Sequence, residues 1–321
     1  MKLTDNRIQY IDIARAFSII WIVAIWHINQ YLNDESVIFK QGSYIKEIGY
    51  IITNGVLALF TFISGYFLSQ KEINTCNDVK TFYKTRLLRF AIPLFISCVL
   101  LCCIGYLSVV HIFTICFGIS QLIPLPYPRT LWYFSMIILF YIISPVIILI
   151  RGKNRVSSGI FIILLYIVLD IGVRYVGFDK RVIDNYPFFV LPFIFERKNI
   201  LYIFSTPWHW IISSIFFILL MYEIYCGYSV YIPILYSGVI CFIILSFSKL
   251  LSSVALISRI FSLISFGSMF AYLYHRELYI LFQKMTGKYN YIEAFIAIVV
   301  IFSIAYSMQY YYNRMINRIN L

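Results

Sequence analysis

The residues of this sequence whose types and spacing can do chemistry are polar side chains lodged in long apolar runs. A titratable group at membrane depth is costly and is by default a functional candidate. The first run carries Asp12 and Arg15, then continues from Ile19 to Trp26 and ends in His27. Asp12 and Arg15 are three apart, so a helix puts them on one face, where they can pair. On a straight α-helix His27 falls about 60° round and roughly 22 Å along from Asp12, on the same broad face. The residues leave two readings open for each: a structural ion pair or a working one for Asp12 and Arg15, an interhelical hydrogen bond or a reacting imidazole for His27. A later run reads Ser265-Phe266-Gly267-Ser268 and then Tyr272-Leu273-Tyr274-His275, which places a second imidazole at a depth like that of His27. Arg276 and Glu277 follow, and fit charges snorkelling at a helix end.

Two further motifs suit a ligand. Arg86-Leu87-Leu88-Arg89 puts two guanidiniums on one face at the entry to an apolar run, before Pro93. Such forks match phosphate oxygens; orientation in the membrane and lipid head-group contact are the other reading. Ser64-Gly65 is a small pair that either lets two helices approach closely or offers a smooth wall to a thin ligand. Trp132, at the start of another run, fits an interfacial aromatic. Motifs for a P-loop, a dinucleotide fold, HExxH or GxSxG are missing. The seven cysteines form no CxxC pair and have no histidine at zinc spacing, so they read as small buried hydrophobes.

The elements that must position these residues follow from composition. The 321 residues are 61% hydrophobic and 12% charged, with mean hydropathy +0.84. A soluble domain carries about twice that charge, so a soluble enzyme and a disordered chain are both excluded. Apolar runs near 10–32, 50–69, 90–110, 131–150, 159–177, 183–195, 207–226, 230–248, 260–282 and 291–312 predict about ten spans. They are apolar all round, so barrel strands are excluded. The expected fold is an all-α polytopic transmembrane bundle, a single domain over 1–321 with no appended soluble domain. The net charge of +12 would point to nucleic acid on a soluble protein. Here the cations cluster in alternate loops, among them Lys80, Lys84, Arg86, Arg89, Arg151, Lys153 and Arg155, which predicts both termini in the cytoplasm and no nucleic-acid partner. Lys71 to Arg89 reads as a basic cytoplasmic loop.

The order of these motifs resembles the membrane-bound acyltransferase family 3, integral-membrane O-acyltransferases of bacterial surface polysaccharides. The resemblance rests on Asp12, Arg15 and His27 in the first span, Gly55 to Tyr66 with Ser64-Gly65-Tyr66, Arg86 and Arg89 before Pro93, Leu131-Trp132-Tyr133-Phe134, and Ser268 to His275. It departs from the family at Leu59-Phe60-Thr61-Phe62 and at the Arg276-Glu277 that follows His275. The resemblance implies acetyl-CoA or another acyl-CoA as donor, a hydroxyl on a glycan or lipid-linked sugar as acceptor, no metal, and a multi-pass place in the bacterial plasma membrane. It implies a catalytic set of His27, Arg15 and Asp12, and donor binding by Arg86, Arg89, Ser64 and Gly65. Trp132, His275 and Glu35 are the expected acceptor-side residues. Glu35, or Asp34, would fold back to orient the imidazole. The pantetheine arm would run past Arg15 and Ser64-Gly65 toward His27. A neutral imidazole there either takes the proton of the attacking hydroxyl or is acylated itself. A glycan or lipid transporter, or an export component of the same superfamily, is the competing class. It calls for inverted repeats, and the sequence has no such symmetry. The acyl group, the acceptor sugar and the oligomeric state stay open.

Overall fold

In a bilayer every backbone N–H and C=O must be satisfied within the chain, so a long apolar run has to be a helix. A computed structural model describes residues 8–123, 131–195, 208–225 and 233–318. Among the described residues all regular structure is helical, apart from an isolated bridge between Leu32 and Tyr289. The α-helices are α1 (Gln9–Ile20), α2 (Tyr44–Ser69), α3 (Cys76–Phe82), α4 (Leu88–Cys103), α5 (Val109–Cys116), α6 (Trp132–Lys153) and α7 (Arg155–Ile171). They continue with α8 (Lys180–Ile194), α9 (Trp208–Tyr225), α10 (Pro233–Leu251), α11 (Ala255–Phe266), α12 (Ser268–Thr286) and α13 (Tyr291–Arg318).

Seven of the described helical stretches are long and apolar enough to cross a membrane, and α11 with α12 would make an eighth. The chain is a multi-pass membrane protein. Its outer faces agree with this: Ile160, Ile163, Leu164, Ile167, Val168 and Ile171 form an exposed apolar stripe along α7, the reverse of a soluble helix. The run at 183–195 belongs to the 15-residue α8. The run at 207–226 is α9, several of whose side chains lie outside the described residues, as does Cys226.

Three expectations need correction. The basic stretch from Lys71 to Arg89 is mostly helix rather than loop. Thr75 caps α3, its hydroxyl accepting from the Asp78 N–H while the Asp78 carboxylate accepts from the Thr75 N–H, and helix then runs unbroken from Cys76 to Cys103. That capping box overrides the charge pattern that reads as loop. The run at 260–282 is two helices bent by 61°. The turn at Gly267 explains the bend: a Cβ there would stand 3.0 Å from the backbone nitrogen of Tyr306 on α13, so a residue with no side chain lets the chain bend against its neighbour. Cys76 and Cys103 are exposed rather than buried, whereas Cys98 and Cys241 are buried as expected.

The chain forms two compact units. One holds residues 1–60 and 201–312, the other 61–200 and 313–321, so α2 and α13 contribute to both. In the first, α1 packs against α10, α11 and α12, and α9 against α10. In the second, α6 packs against α5, α7 and α8. The core of the second unit stacks Phe140 on Phe189 with ring centroids 4.9 Å apart, and the Tyr186 hydroxyl donates to the Ile162 carbonyl at 3.1 Å.

Candidate active site

In the first unit, α1 meets the α11–α12 bend through its two charged residues. Ser265 Oγ donates to Asp12 Oδ1 at 3.0 Å, and Arg15 Nη2 donates to Ser268 Oγ at 2.9 Å. The spacing of three in α1 matches the spacing of three across the bend. Asp12 is buried, so this contact replaces water on a carboxylate that would otherwise be costly. Asp12 and Arg15 thus hold the bend and set the height at which α12 starts.

Beyond Ile20 the first helix changes pitch. Trp21–His27 is a π-helical segment, followed by a 3-10 turn over Ile28–Gln30. Wider turns rotate His27 away from where a straight α-helix would put it, and such segments recur at functional sites. The hydroxyl of Tyr279 donates to the carbonyl of Val23 inside that segment at 3.1 Å. Past it, Tyr289 N–H donates to the Tyr31 carbonyl and Asn33 N–H to the Tyr289 carbonyl, each at 2.9 Å. Tyr289 also donates its hydroxyl to the Tyr279 carbonyl at 2.9 Å. Burial, with Tyr31 and Glu293 adding to it, pushes the Tyr289 phenol up to about 12, so it remains a donor at neutral pH. The end of the first span is thereby tied to α12 and to the turn that follows it.

These ties bring two imidazoles together. His27 Nδ1 and His275 Nε2 are 2.9 Å apart, and the rings lie within 12° of parallel. His275 is fully buried, and its Nδ1 is 2.8 Å from the Tyr272 carbonyl and 3.0 Å from that of Ala271. A carbonyl only accepts, so Nδ1 of His275 carries the hydrogen. In a neutral pair His275 Nε2 is then bare and must accept, so His27 Nδ1–H donates to it. The tautomer follows from the network. His27 Nε2 is left as an unprotonated nitrogen, on a ring that is only partly buried and has no hydrogen-bond partner at that atom among the described residues. This is the arrangement of a general base backed by a fixed acceptor.

The remaining candidates are placed as follows. Glu35 lies exposed in the short turn Asp34–Ser36, and Asp34 pairs with Lys288 at 3.3 Å. Neither orients the imidazole; His275 does so instead, because α12 delivers its acceptor nitrogen directly to His27 Nδ1. Arg276 and Glu277 do not snorkel. They are 4% and 2% exposed, since α12 runs on to Thr286 and their position is mid-helix rather than at its end. Arg276 Nη2 donates to Gln30 Oε1 at 3.2 Å.

Arg86, Arg89, Ser64, Gly65 and Trp132 belong to the second unit. Arg86 sits in a π turn, Tyr83–Leu87, between α3 and α4, and is partly exposed; Arg89 is exposed. Gly65 follows the close-approach reading: the carbonyl of Phe189 on α8 occupies the space a Cβ would need. That face of α2 is filled, so the donor arm has no bare wall at Gly65, while Ser64 next to it is partly exposed. Trp132 opens α6 with the guanidinium of Arg181 lying 4.1 Å from its ring centroid, and Arg181 is itself held by Asp179 at 2.6 Å. Ser265, Ser268, Gln30 and Tyr279 join the site without having been expected there from sequence. For the serines a signal was present, since they flank the small residue Gly267 in the same apolar run as His275.

The model of the acyltransferase domain of acyltransferase family 3 matches residues 8–310. The chain belongs to this family. No curated protein and no solved structure matches it. The protein is therefore an acyltransferase that moves a non-aminoacyl group from a donor to an acceptor, and the match includes every helix that contributes to the imidazole pair. Among the described residues of this acyltransferase, no three His, Cys, Asp or Glu side chains are grouped to hold a metal ion.

Proposed function

We propose that this acyltransferase transfers an acyl group, acetyl first among candidates, from acyl-CoA to a hydroxyl of a surface polysaccharide or lipid-linked sugar in the bacterial plasma membrane, with His27 as general base. The observation that carries the reading is the hydrogen-bond chain from the α12 carbonyls through His275 to His27, which leaves His27 Nε2 bare. That nitrogen takes the proton of the acceptor hydroxyl as its oxygen attacks the thioester carbon. The tetrahedral intermediate collapses with cleavage of the C–S bond, and the proton passes from His27 to the departing CoA sulfur. His275 stabilises the transient imidazolium, because its Nε2 accepts from the Nδ1–H that becomes more acidic. Asp12 and Arg15 act as positioning residues through Ser265 and Ser268.

Arg86 and Arg89 are assigned to the donor. Two planar guanidiniums suit the phosphates of CoA, which they bind without taking part in bond changes. Trp132 and Ser64 are retained as contacts for acceptor and donor. The reading is tested in two arms. His27→Ala should abolish acylation while the protein still inserts. Proton NMR of the host's surface glycan should then lose its O-acetyl signals at unchanged glycan amount. Loss of the glycan itself would instead favour export, and normal acylation would remove the mechanism. Arg86→Ala and Arg89→Ala should raise the KM for acetyl-CoA; an unchanged KM would remove these residues from the donor site.

A further inference from the structure

A guanidinium cannot shed its charge, and a buried one is normally matched by a carboxylate. Arg276 breaks that rule. It is 4% exposed, and its Nε is sealed from solvent with no hydrogen-bond partner. Its Nη2 contact is the neutral amide oxygen of Gln30 at 3.2 Å, and no carboxylate among the described residues lies within ion-pair distance of it. The location is specific. Arg276 follows His275 in α12, and Gln30 stands three residues after His27, one turn further along the same strip of helix. The contact between Arg276 and Gln30 is therefore the neighbour of the contact between His275 and His27. Gln30 is exposed, so the cation lies one side chain beneath the surface.

We propose that Arg276, aimed by Gln30, is an oxyanion-binding site beside His27, its free Nε–H awaiting an acceptor oxygen that bears negative charge. Two groups present that chemistry at this place: the carbonyl oxygen of the thioester as the hydroxyl adds to it, or a carboxylate or phosphate carried by the acceptor. Preorganised donors aimed at such a charge in a water-poor site are worth most where they have no competing partner. The use of the site rests on His27 being the reacting base, but its detection does not.

The test uses the full-length protein in nanodiscs and compares wild type, Arg276→Met and Arg276→Lys. Sodium acetate and sodium phosphate are titrated against chloride at equal ionic strength, with thermal unfolding as readout. Wild type should gain stability from the oxyanions. Arg276→Met should be at least as stable in chloride, because an unmatched buried charge has been removed, yet gain nothing from them. An equal gain in Arg276→Met would overturn the proposal. So would a loss of stability in chloride that Arg276→Lys repairs, since that marks a purely structural cation. Turnover then identifies the oxyanion. A fall on the order of 100-fold in acetyl-CoA hydrolysis by water, at unchanged KM, assigns the site to the thioester oxygen. Intact hydrolysis with lost transfer to the host glycan assigns it to the acceptor's anion. Hydrolysis and transfer both within twofold of wild type would show that the site plays no part in the reaction and overturn it. Because anion binding is read without turnover, a dead His27 variant would still bind oxyanions, which separates failure of this proposal from failure of the mechanism.

Discussion

The charged and titratable candidate site residues of the two units are placed in opposite ways. In the first, Asp12, His275 and Arg276 are buried and each is reached across helices, by Ser265, by His27 and by Gln30. In the second, Arg86 and Arg89 keep part of their surface open on a π turn and the helix after it. Burial with fixed partners is what proton transfer needs, since the reacting nitrogen must be held in one tautomer and one place. Guanidiniums with exposed surface suit capture of a phosphate-bearing molecule from water. Under the proposed function, the contrast corresponds to chemistry in one unit and donor capture in the other.

That contrast can be broken by substitutions with effects of different size. The largest is expected from His27→Ala, which should remove acyl transfer altogether, as read by O-acetyl content of the glycan. Next, His275→Ala should lower kcat about 100-fold with the KM for acetyl-CoA unchanged, by analogy with partners that orient a functional histidine. His275→Gln should recover part of that loss, because its carbonyl accepts the same hydrogen bond from His27. A KM effect instead of a kcat effect would move His275 to the capture side of the comparison. Gly65→Ala should destabilise the second unit by about 1–3 kcal/mol, since the clash is with main chain that has little room to move; thermal unfolding would register it. The smallest effect is expected at the exposed pair of Asp34 and Lys288, where Asp34→Asn should leave both stability and activity within error.

Much of this was legible in the sequence. Apolar runs fixed the helical membrane class, and His27, Arg15 and Asp12 stood out because polar groups are conspicuous there. What was not legible arises from pitch and from partners distant in sequence. Nothing in Trp21–His27 announces the π segment, whose wider turns change the register at which His27 emerges. Glu35 was offered as the orienting group from its closeness in sequence, whereas the true partner, His275, is 248 residues away. Arg276 and Glu277 read as a helix end because charge usually marks one; the helix continues to Thr286 and buries both. Ser64-Gly65 admitted two readings, and only the approach of Phe189 distinguishes them at Gly65.

The central claim is that His27 keeps its hydrogen on Nδ1 and presents a bare Nε2. The chain has four histidines, few enough to assign by substituting them singly. Two-bond proton–nitrogen correlation spectra of the nitrogen-15 histidine-labelled protein in nanodiscs would read the tautomer of each. The account predicts the Nδ1–H pattern at His27, lost or altered in His275→Ala. An Nε2–H pattern at His27 in the resting enzyme would contradict it, because the nitrogen assigned to take the hydroxyl proton would already be occupied.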